Sequence, residues 1–364
     1  MKRLLFFFIL INWLQVISQN GSSGYELQAS YFYGNFIPHN KNIKHLIVGH
    51  PRGILLKYNK KTFGAHYWEE AYNYPDWGVS FLYQDNQNKV LGNNVALLGH
   101  INLYFLNRKI KATIAQGIAY NTNPFNIDTN IKNVAFGSKL LATTQVSIAY
   151  QKERIFKNSG FNVGLLFTHF SNGGVKAPNT GINTIALNLG LTYVNLSPAI
   201  NYVSDNKLPE FSTKIKYNLS VSGGVNSSDY FNLGQQPFWV FRASLTKRVN
   251  YKSSVLLGTE LFLSKFLKKE IQYLAAAFPN KGIKGNEDYK RVGVFAGHTL
   301  HIHKFGVLTH LGFYVYYPYQ YESRWYQRIG LEYKFSEKII GIVSLKTHLA
   351  NAEAIEWGIG YTFN

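Results

Sequence analysis

The sequence lacks cysteine altogether, which excludes a disulfide framework and any metal site built on thiolates. It is also poor in acidic residues, with 19 Asp and Glu against 38 Lys and Arg among 364 residues, a formal net charge of +19. After Gln19 there is no long apolar run of the about 20 residues that a membrane-spanning helix needs. The chain is therefore basic, free of thiol chemistry and without an apolar helix after its first residues.

The first 18 residues have the pattern of a secretory signal. Lys2 and Arg3 form a charged start, a mostly apolar stretch from Leu4 to Ile17 follows, and the residues 16–18 (Val-Ile-Ser) resemble a cleavage site before Gln19. A membrane anchor is the alternative, but two polar residues interrupt the stretch and it is short for a span. We expect export through a cleaved N-terminal signal, which argues against nucleic acid as the partner of the basic surface and favours a phosphorylated glycolipid.

The remaining sequence is rich in the residues that β-proteins use, with 26 Tyr, 26 Phe and 31 Gly. Segments of about ten residues alternate between apolar and small or polar side chains, a pattern typical of transmembrane β-barrels. In the last segment the two alternating sets are Ile355, Trp357, Ile359, Tyr361 and Phe363 against Glu356, Gly358, Gly360 and Thr362. A soluble sandwich also alternates, but the export signal and the aromatic residues near segment ends favour the barrel.

Short basic turns and longer polar loops also alternate along the chain, as they do in outer-membrane barrels. We therefore predict an all-β fold, a transmembrane antiparallel β-barrel of about 14–16 strands over residues 19–364. The connections at 60–75 and 197–211 fit this count least well, because they would be long on the periplasmic side. The alternative is an eight-stranded barrel over residues 25–196 followed by a second β unit, although no repeat or flexible linker supports a split.

One predicted hairpin, residues 155–196, carries the candidate chemistry. Successive side chains of a strand point to opposite faces. The outward stripe of its first strand is Val163, Leu165, Phe167, His169 and Ser171, and that of its second strand is Asn183, Ile185, Leu187, Leu189, Leu191 and Tyr193. If the strands pair about the middle of the loop, Ser171 lies opposite Asn183. A nucleophile, a base and an orienting amide then meet where an apolar surface reaches water.

The strings HFSN at residues 169–172 and PNTG at residues 178–181 resemble the lipid A deacylase family, also called acyloxyacyl hydrolase-like proteins, over about residues 25–196. The resemblance implies an outer-membrane barrel and a serine hydrolase that removes an ester-linked acyl chain from lipid A. It implies Ser171 as nucleophile, His169 as general base, Asn179 as a contributor to the oxyanion hole and Asn172 in a supporting role. The family has a glutamate where this chain has Asn183.

The departure at Asn183 does not exclude catalysis. A serine hydroxyl needs a neighbouring base, and the third group of a triad fixes the tautomer of the imidazole and stabilises its charged form. An Asn carbonyl performs the first task and performs the second less well. We therefore predict a working but slower site that needs no metal or other cofactor. The partner is lipid A or another lipid of the outer leaflet, in the Gram-negative outer membrane.

A different class of function is a channel or a structural barrel. A single barrel of sixteen strands would leave an aqueous lumen, and residues 197–364 carry no motif that assigns them a role.

Overall fold

The structure is a computed structural model that describes residues 24–38, 40–196, 202–204, 210–230, 233–349 and 351–363. The segment 1–18, expected to be a cleaved signal, lies outside the described residues. Within them, no helix combines the length and the apolar character needed to cross a membrane.

The described residues form sixteen antiparallel strands that close into two barrels of eight strands each. The first barrel consists of β1 (Tyr25–Ile37), β2 (Arg52–Lys60), β3 (Asp76–Asp85), β4 (Asn93–Phe105), β5 (Ile110–Asn121), β6 (Leu140–Phe156), β7 (Ser159–Ser171) and β8 (Ile182–Asn195). The second barrel consists of β9 (Ile215–Ser227), β10 (Gln235–Arg248), β11 (Ser253–Ser264), β12 (Arg291–Ile302), β13 (Phe305–Tyr316), β14 (Trp325–Lys334), β15 (Ile339–His348) and β16 (Asn351–Phe363).

The predicted all-β barrel fold is confirmed, and its closure follows the alternative that we described. β1 pairs with β8 from Tyr25 opposite Asn195 to Ile37 opposite Asn183, so the first cylinder closes before the chain reaches residue 197. β16 pairs with β9 and closes the second cylinder. The poorly fitting connection at 197–211 thus falls where the chain passes from one barrel to the other.

The predicted alternation of faces is also confirmed. In β16, Trp357 is 65% exposed on the outward face, whereas its neighbour Glu356 is 0% exposed in the interior. Outward apolar side chains with polar or small inward ones are the arrangement of barrels that face lipid.

Both interiors contain buried side chains, so the described residues do not form the aqueous lumen that a single barrel of sixteen strands would leave. In the first barrel an apolar cluster that includes Phe136, Leu166 and Phe170 occupies the part of the interior next to the β7–β8 loop. In the second barrel Arg328 lies between Glu260 and Glu356, at N–O distances of 2.6 and 2.8 Å. A barrel of eight strands is just wide enough for side chains to fill it, whereas sixteen strands in one cylinder would leave a channel.

Both barrels point the same way. The β7–β8 and β9–β10 connections lie together at what we call the loop end, and the opposite end is called the turn end. At the turn end the β2–β3 connection carries a short helix, α1 (Tyr67–Ala71), that contacts turns of the second barrel. A longer helix, α2 (Lys265–Ala277), lies in the β11–β12 connection at the loop end, followed by a 3-10 helix at Pro279–Lys281. Another 3-10 helix, Lys41–Leu46, inserts Ile43 and Leu46 into the apolar cluster of the first barrel.

Candidate active site at the loop end of the first barrel

His169 and Asn183 are direct cross-strand partners on the outward face of β7 and β8. We predicted Ser171 roughly opposite Asn183, and this register is wrong by two residues, since the residue opposite Asn183 is His169. A shift of two residues leaves every side chain on its face, whereas a shift of one would exchange the faces. The sequence-based faces therefore survive the error, and Asn183 lies closer to the imidazole than expected.

The Asn183 side chain is bonded to the imidazole. Its Oδ1 lies 2.6 Å from Nδ1 of His169. A carbonyl oxygen only accepts, so Nδ1 carries the proton and Nε2 is left as the basic nitrogen. This is the tautomer that a general base for a serine requires.

Ser171 ends β7 and is only 5% exposed. The backbone of Gly181 is in the left-handed region at φ 69°, and this residue lies next to both Ser171 and His169. A Cβ added at Gly181 would lie 3.1 Å from Cβ of Ser171 and 3.2 Å from Cε1 of His169. The carbon that bears the hydroxyl and the imidazole therefore both lie beside this glycine, and a Cβ there would also lie 2.8 Å from the Phe170 carbonyl oxygen, which would have to shift.

The β7–β8 loop is shaped by two asparagines. Oδ1 of Asn179 accepts a hydrogen bond of 2.7 Å from the backbone N–H of Asn172. The Asn172 side chain, itself 2% exposed, donates to the Lys176 carbonyl at 2.6 Å and accepts from the Gly174 N–H at 3.2 Å. Because the side-chain oxygen of Asn179 accepts this bond, its amide N–H groups can donate to a ligand. The side chain of Asn172 stabilises the conformation of the loop.

Three further groups at the site were not identified from the sequence. The backbone N–H of Gly173 donates to Oγ of Ser171 at 3.4 Å. Thr144 of β6 lies directly beside His169, and Gln116 of β5 lies beside Thr144. Thr144 Oγ1 donates to Gln116 Oε1 at 2.6 Å. The sequence contains one signal for Thr144 and Gln116: these polar residues interrupt the outward apolar stripes of β6 and β5 at paired positions.

Polar side chains thus form a row across four neighbouring strands of an otherwise apolar wall. On β5 the outward neighbours of Gln116 are Ile114 and Ile118, which are 52% and 59% exposed. An amide on a lipid-facing surface costs free energy unless it is hydrogen-bonded. The row therefore offers donors and acceptors to a molecule that has both polar and apolar parts. Among the described residues, no group of three His, Asp or Glu side chains is placed to hold a metal ion.

Two family models match the chain, one on each barrel. Residues 52–192 match the model described as lipid A 3-O-deacylase (PagL). Residues 215–364 match the model described as acyloxyacyl hydrolase, C-terminal domain. No curated protein matches the chain at a significant level.

The solved structures that a comparison with this chain returns include the crystal structure of the outer membrane enzyme PagL. It is 19% identical over 45% of this chain and 97% of that chain, with a TM-score of 0.28. A mutant porin of Rh. blastica is 9% identical over 94% of this chain and 100% of that chain, with a TM-score of 0.21. These scores are low, so the two family matches carry the comparison.

Proposed function

Because the chain belongs to the lipid A 3-O-deacylase family over residues 52–192, we propose that it is an outer-membrane serine esterase that removes an ester-linked acyl chain from lipid A. The observation that carries this proposal is the bond between His169 and Asn183 on the outward wall, with Ser171 on the same strand at the rim. An enzyme that cleaves a membrane lipid must present its reactive groups to the lipid rather than to an internal cavity.

The proposed reaction begins with attack of Ser171 Oγ on the ester carbonyl, while Nε2 of His169 takes the hydroxyl proton. The tetrahedral intermediate collapses as His169 returns that proton to the departing sugar oxygen, which leaves the acyl chain on Ser171. A water molecule, deprotonated by the same nitrogen, then attacks the acyl-enzyme, and His169 returns that proton to Ser171 Oγ as the bond between Oγ and the acyl carbon breaks and the fatty acid leaves. Protons and bonds balance over the two steps with no other reactant than water.

The oxyanion formed in both steps needs hydrogen-bond donors. The Gly173 N–H, which is directed at Ser171 Oγ, and the amide of Asn179 are the donors that we assign to it. One such donor contributes about 3 kcal/mol to the transition state when it is held in place beforehand. The bonds that Asn172 makes to Lys176 and Gly174 supply this rigidity.

Asn183 in place of the family glutamate predicts a slower enzyme rather than an inactive one. Its carbonyl holds the required tautomer, but a neutral amide stabilises the imidazolium less than a carboxylate does.

The substrate would lie against the outward wall of the first barrel. Leu187 and Leu189 of β8, exposed by 61% and 62%, offer an apolar surface for acyl chains below the site. Exposed lysines of the neighbouring loops, Lys132, Lys139 and Lys176, are suited to the phosphates of the glycolipid.

The channel hypothesis is weakened by the filled interiors. Arg242 and Arg328 share Glu260 across the second barrel, and each of these side chains is at most 5% exposed. We expect no steady single-channel conductance in planar bilayers. A stable open pore of the parent protein would favour the channel instead.

The decisive experiment is expression in a heterologous Gram-negative host, followed by mass spectrometry of its lipid A. The parent should remove one ester-linked acyl chain, and Ser171→Ala should reduce the reaction by about 10⁴-fold or more, to background. Ser159→Ala, on the same strand at the turn end, is the matched control and should behave as the parent. Unchanged lipid A in cells that contain the folded parent would overturn the proposal.

A further inference from the structure

The rim of the second barrel lies against the loop that carries the candidate oxyanion donors. Ser227, the last residue of β9, accepts a hydrogen bond from the Ala177 N–H at 2.8 Å through its Oγ. The Ser227 N–H donates to the Gly174 carbonyl at 3.1 Å. Gln235, the first residue of β10, donates from Nε2 to the Val175 carbonyl at 3.0 Å. The backbone of three loop residues, Gly174, Val175 and Ala177, is thus bonded to the neighbouring barrel.

Two glycines allow this close approach. A Cβ at Gly173 would lie 2.4 Å from Cγ1 of Ile355, and a Cβ at Gly174 would lie 2.6 Å from the Glu353 carbonyl oxygen. Both glycines have positive φ, 66° and 82°. The loop backbone therefore lies directly on the start of β16, in a conformation that other residues adopt only with strain.

These contacts are adjacent in sequence to the reactive groups. Gly173, whose N–H is directed at Ser171 Oγ, precedes the residue that Ser227 binds. Asn172 braces the same turn from inside the loop, so its bonds and those from the second barrel restrain one short segment from two sides.

A second connection at the turn end keeps the two barrels side by side. The Tyr72 hydroxyl donates to the His301 carbonyl at 2.8 Å, and Lys252 Nζ donates to the Ala71 carbonyl at 2.5 Å. The rings of His66 and His303 stack with centroids 5.4 Å apart. Because the barrels are joined at both ends, the rim of the second barrel is a fixed support for the loop.

We propose that the second barrel is a positioning element of the ester-cleaving site, in which Ser227 and Gln235 hold residues 173–177 so that the oxyanion donors face Ser171. The inference rests on the proposed function and assigns a role to residues 215–364. A misplacement of about 1 Å of a group that stabilises a transition state can cost about 100-fold in rate, so a support outside the site affects the rate without touching the substrate.

The first test is the double variant Ser227→Ala with Gln235→Ala. We expect kcat to fall by about ten- to thirtyfold, because two loop hydrogen bonds are lost, while KM stays within about twofold. The single variant Ser227→Thr, which keeps the hydroxyl and leaves Gln235 in place, should have the parental kcat. A purely structural role would lower the amount of folded protein and would not produce this split between kcat and KM.

Two matched controls use the second barrel itself. Gln236→Ala removes the side chain next to Gln235, whose amide Nε2 donates to the Leu233 carbonyl in the β9–β10 connection and not to the 173–177 loop. Ser336→Ala removes a hydroxyl that accepts from the Ile339 N–H at 3.1 Å in a turn at the opposite end. Both should retain the parental kcat. A loss in these controls equal to that of the double variant would overturn the proposal.

The second test is independent of activity and uses the absence of cysteine from the chain. Ala177→Cys with Ser227→Cys should form a cross-link on mild oxidation, whereas Ala177→Cys with Ser336→Cys should not. The cross-linked protein should keep the parental kcat, and the reduced form, which lacks the Ser227 hydroxyl but keeps Gln235, should have a kcat about three- to tenfold lower. Failure to cross-link, or a parental kcat in the folded double alanine variant, would overturn the positioning role. An inactive parent that still cross-links would instead refute the esterase and leave the rim contact intact.

Discussion

The two barrels have the same number of strands and the same orientation, and they differ in where their buried ion pairs lie. Beneath the candidate site, the first barrel is packed with apolar side chains that include Phe170 and Ile182, the inward neighbours of the site residues. The buried ion pairs of the first barrel, such as Lys111 with Glu26, lie near the turn end, whereas in the second barrel Arg291 and Glu353 pair at the loop end. Dense apolar packing holds rotamers and backbone in one arrangement, so the barrel with the candidate chemistry has the more rigid support below its rim.

Their outward surfaces provide a second comparison. Both walls carry a cross-strand pair of Thr and Gln, Thr144 with Gln116 in the first barrel and Thr347 with Gln327 in the second. In the second barrel the Gln327 oxygen also accepts from the Leu349 N–H at 2.8 Å, within its own wall. In the first barrel the pair extends to His169. The same polar pair is therefore part of a site only where strand register places it beside an imidazole.

The largest expected effect concerns the charged interior. Arg328→Ala leaves Glu260 and Glu356 with Arg242 as their one remaining guanidinium partner, and breaking buried pairs in this way costs about 3–5 kcal/mol of unfolding free energy. Urea unfolding in detergent measures the loss. Arg324→Ala, at an exposed position, is the control and should change stability by less than about 0.5 kcal/mol. A loss below about 1 kcal/mol for Arg328→Ala would show that the ion pairs do not hold the second barrel together.

The next effect concerns the glycine between Ser171 and His169. Gly181→Ala should lower deacylation by about 100-fold, because the added Cβ would lie 2.8 Å from the Phe170 carbonyl oxygen and must shift the strand between the two candidate reactive groups. Gly282→Ala is the matched control, since Gly282 has nearly the same φ of 70° and a Cβ there would meet nothing within 4 Å. Initial rates on purified lipid A, with equal amounts of folded protein, distinguish displacement from backbone strain. Equal losses in both variants would contradict the site geometry.

A smaller gain is expected at the position where the chain departs from its family. Asn183→Asp keeps the side chain in place beside Nδ1 of His169 and adds the missing charge, so kcat should rise by about tenfold. Asn195→Asp, on the same strand at the turn end, controls for the added charge. A decrease in kcat with Asn183→Asp would indicate that Asn183 does not orient the base.

The smallest effect tests the two Thr–Gln pairs against each other. Thr144→Val removes the hydroxyl beside His169 and should raise KM by about three- to fivefold, the loss of one hydrogen bond to substrate. Thr347→Val makes the same change in the second barrel and should leave KM unaltered. Steady-state kinetics of the two variants measure the difference. Equal KM values for Thr144→Val and Thr347→Val would show that Thr144 and Gln116 do not bind the substrate.

Much of the hairpin could be predicted because it depends on local rules. Alternation along β7 and β8 assigned the faces of His169, Ser171 and Asn183, and the structure keeps all three side chains on one side of the hairpin. The register could not be predicted, since it depends on where the β7–β8 loop begins and ends. Gly173 and Thr144 were missed for a related reason, because a backbone N–H and a neighbour on another strand leave no local pattern.

Composition and alternation by themselves determined an all-β chain with apolar outward stripes and with a Ser, a His and an Asn at the loop end of one hairpin. Only the tertiary structure decided that β1 closes on β8 and β9 on β16, which makes two filled cylinders in place of one wide barrel. The physical reason is that a strand has the same two-residue alternation in a barrel of any size, whereas closure depends on the pairing of strands far apart in sequence. The contact of Ser227 with the 173–177 loop follows from that closure, and no stretch of sequence taken alone contains it.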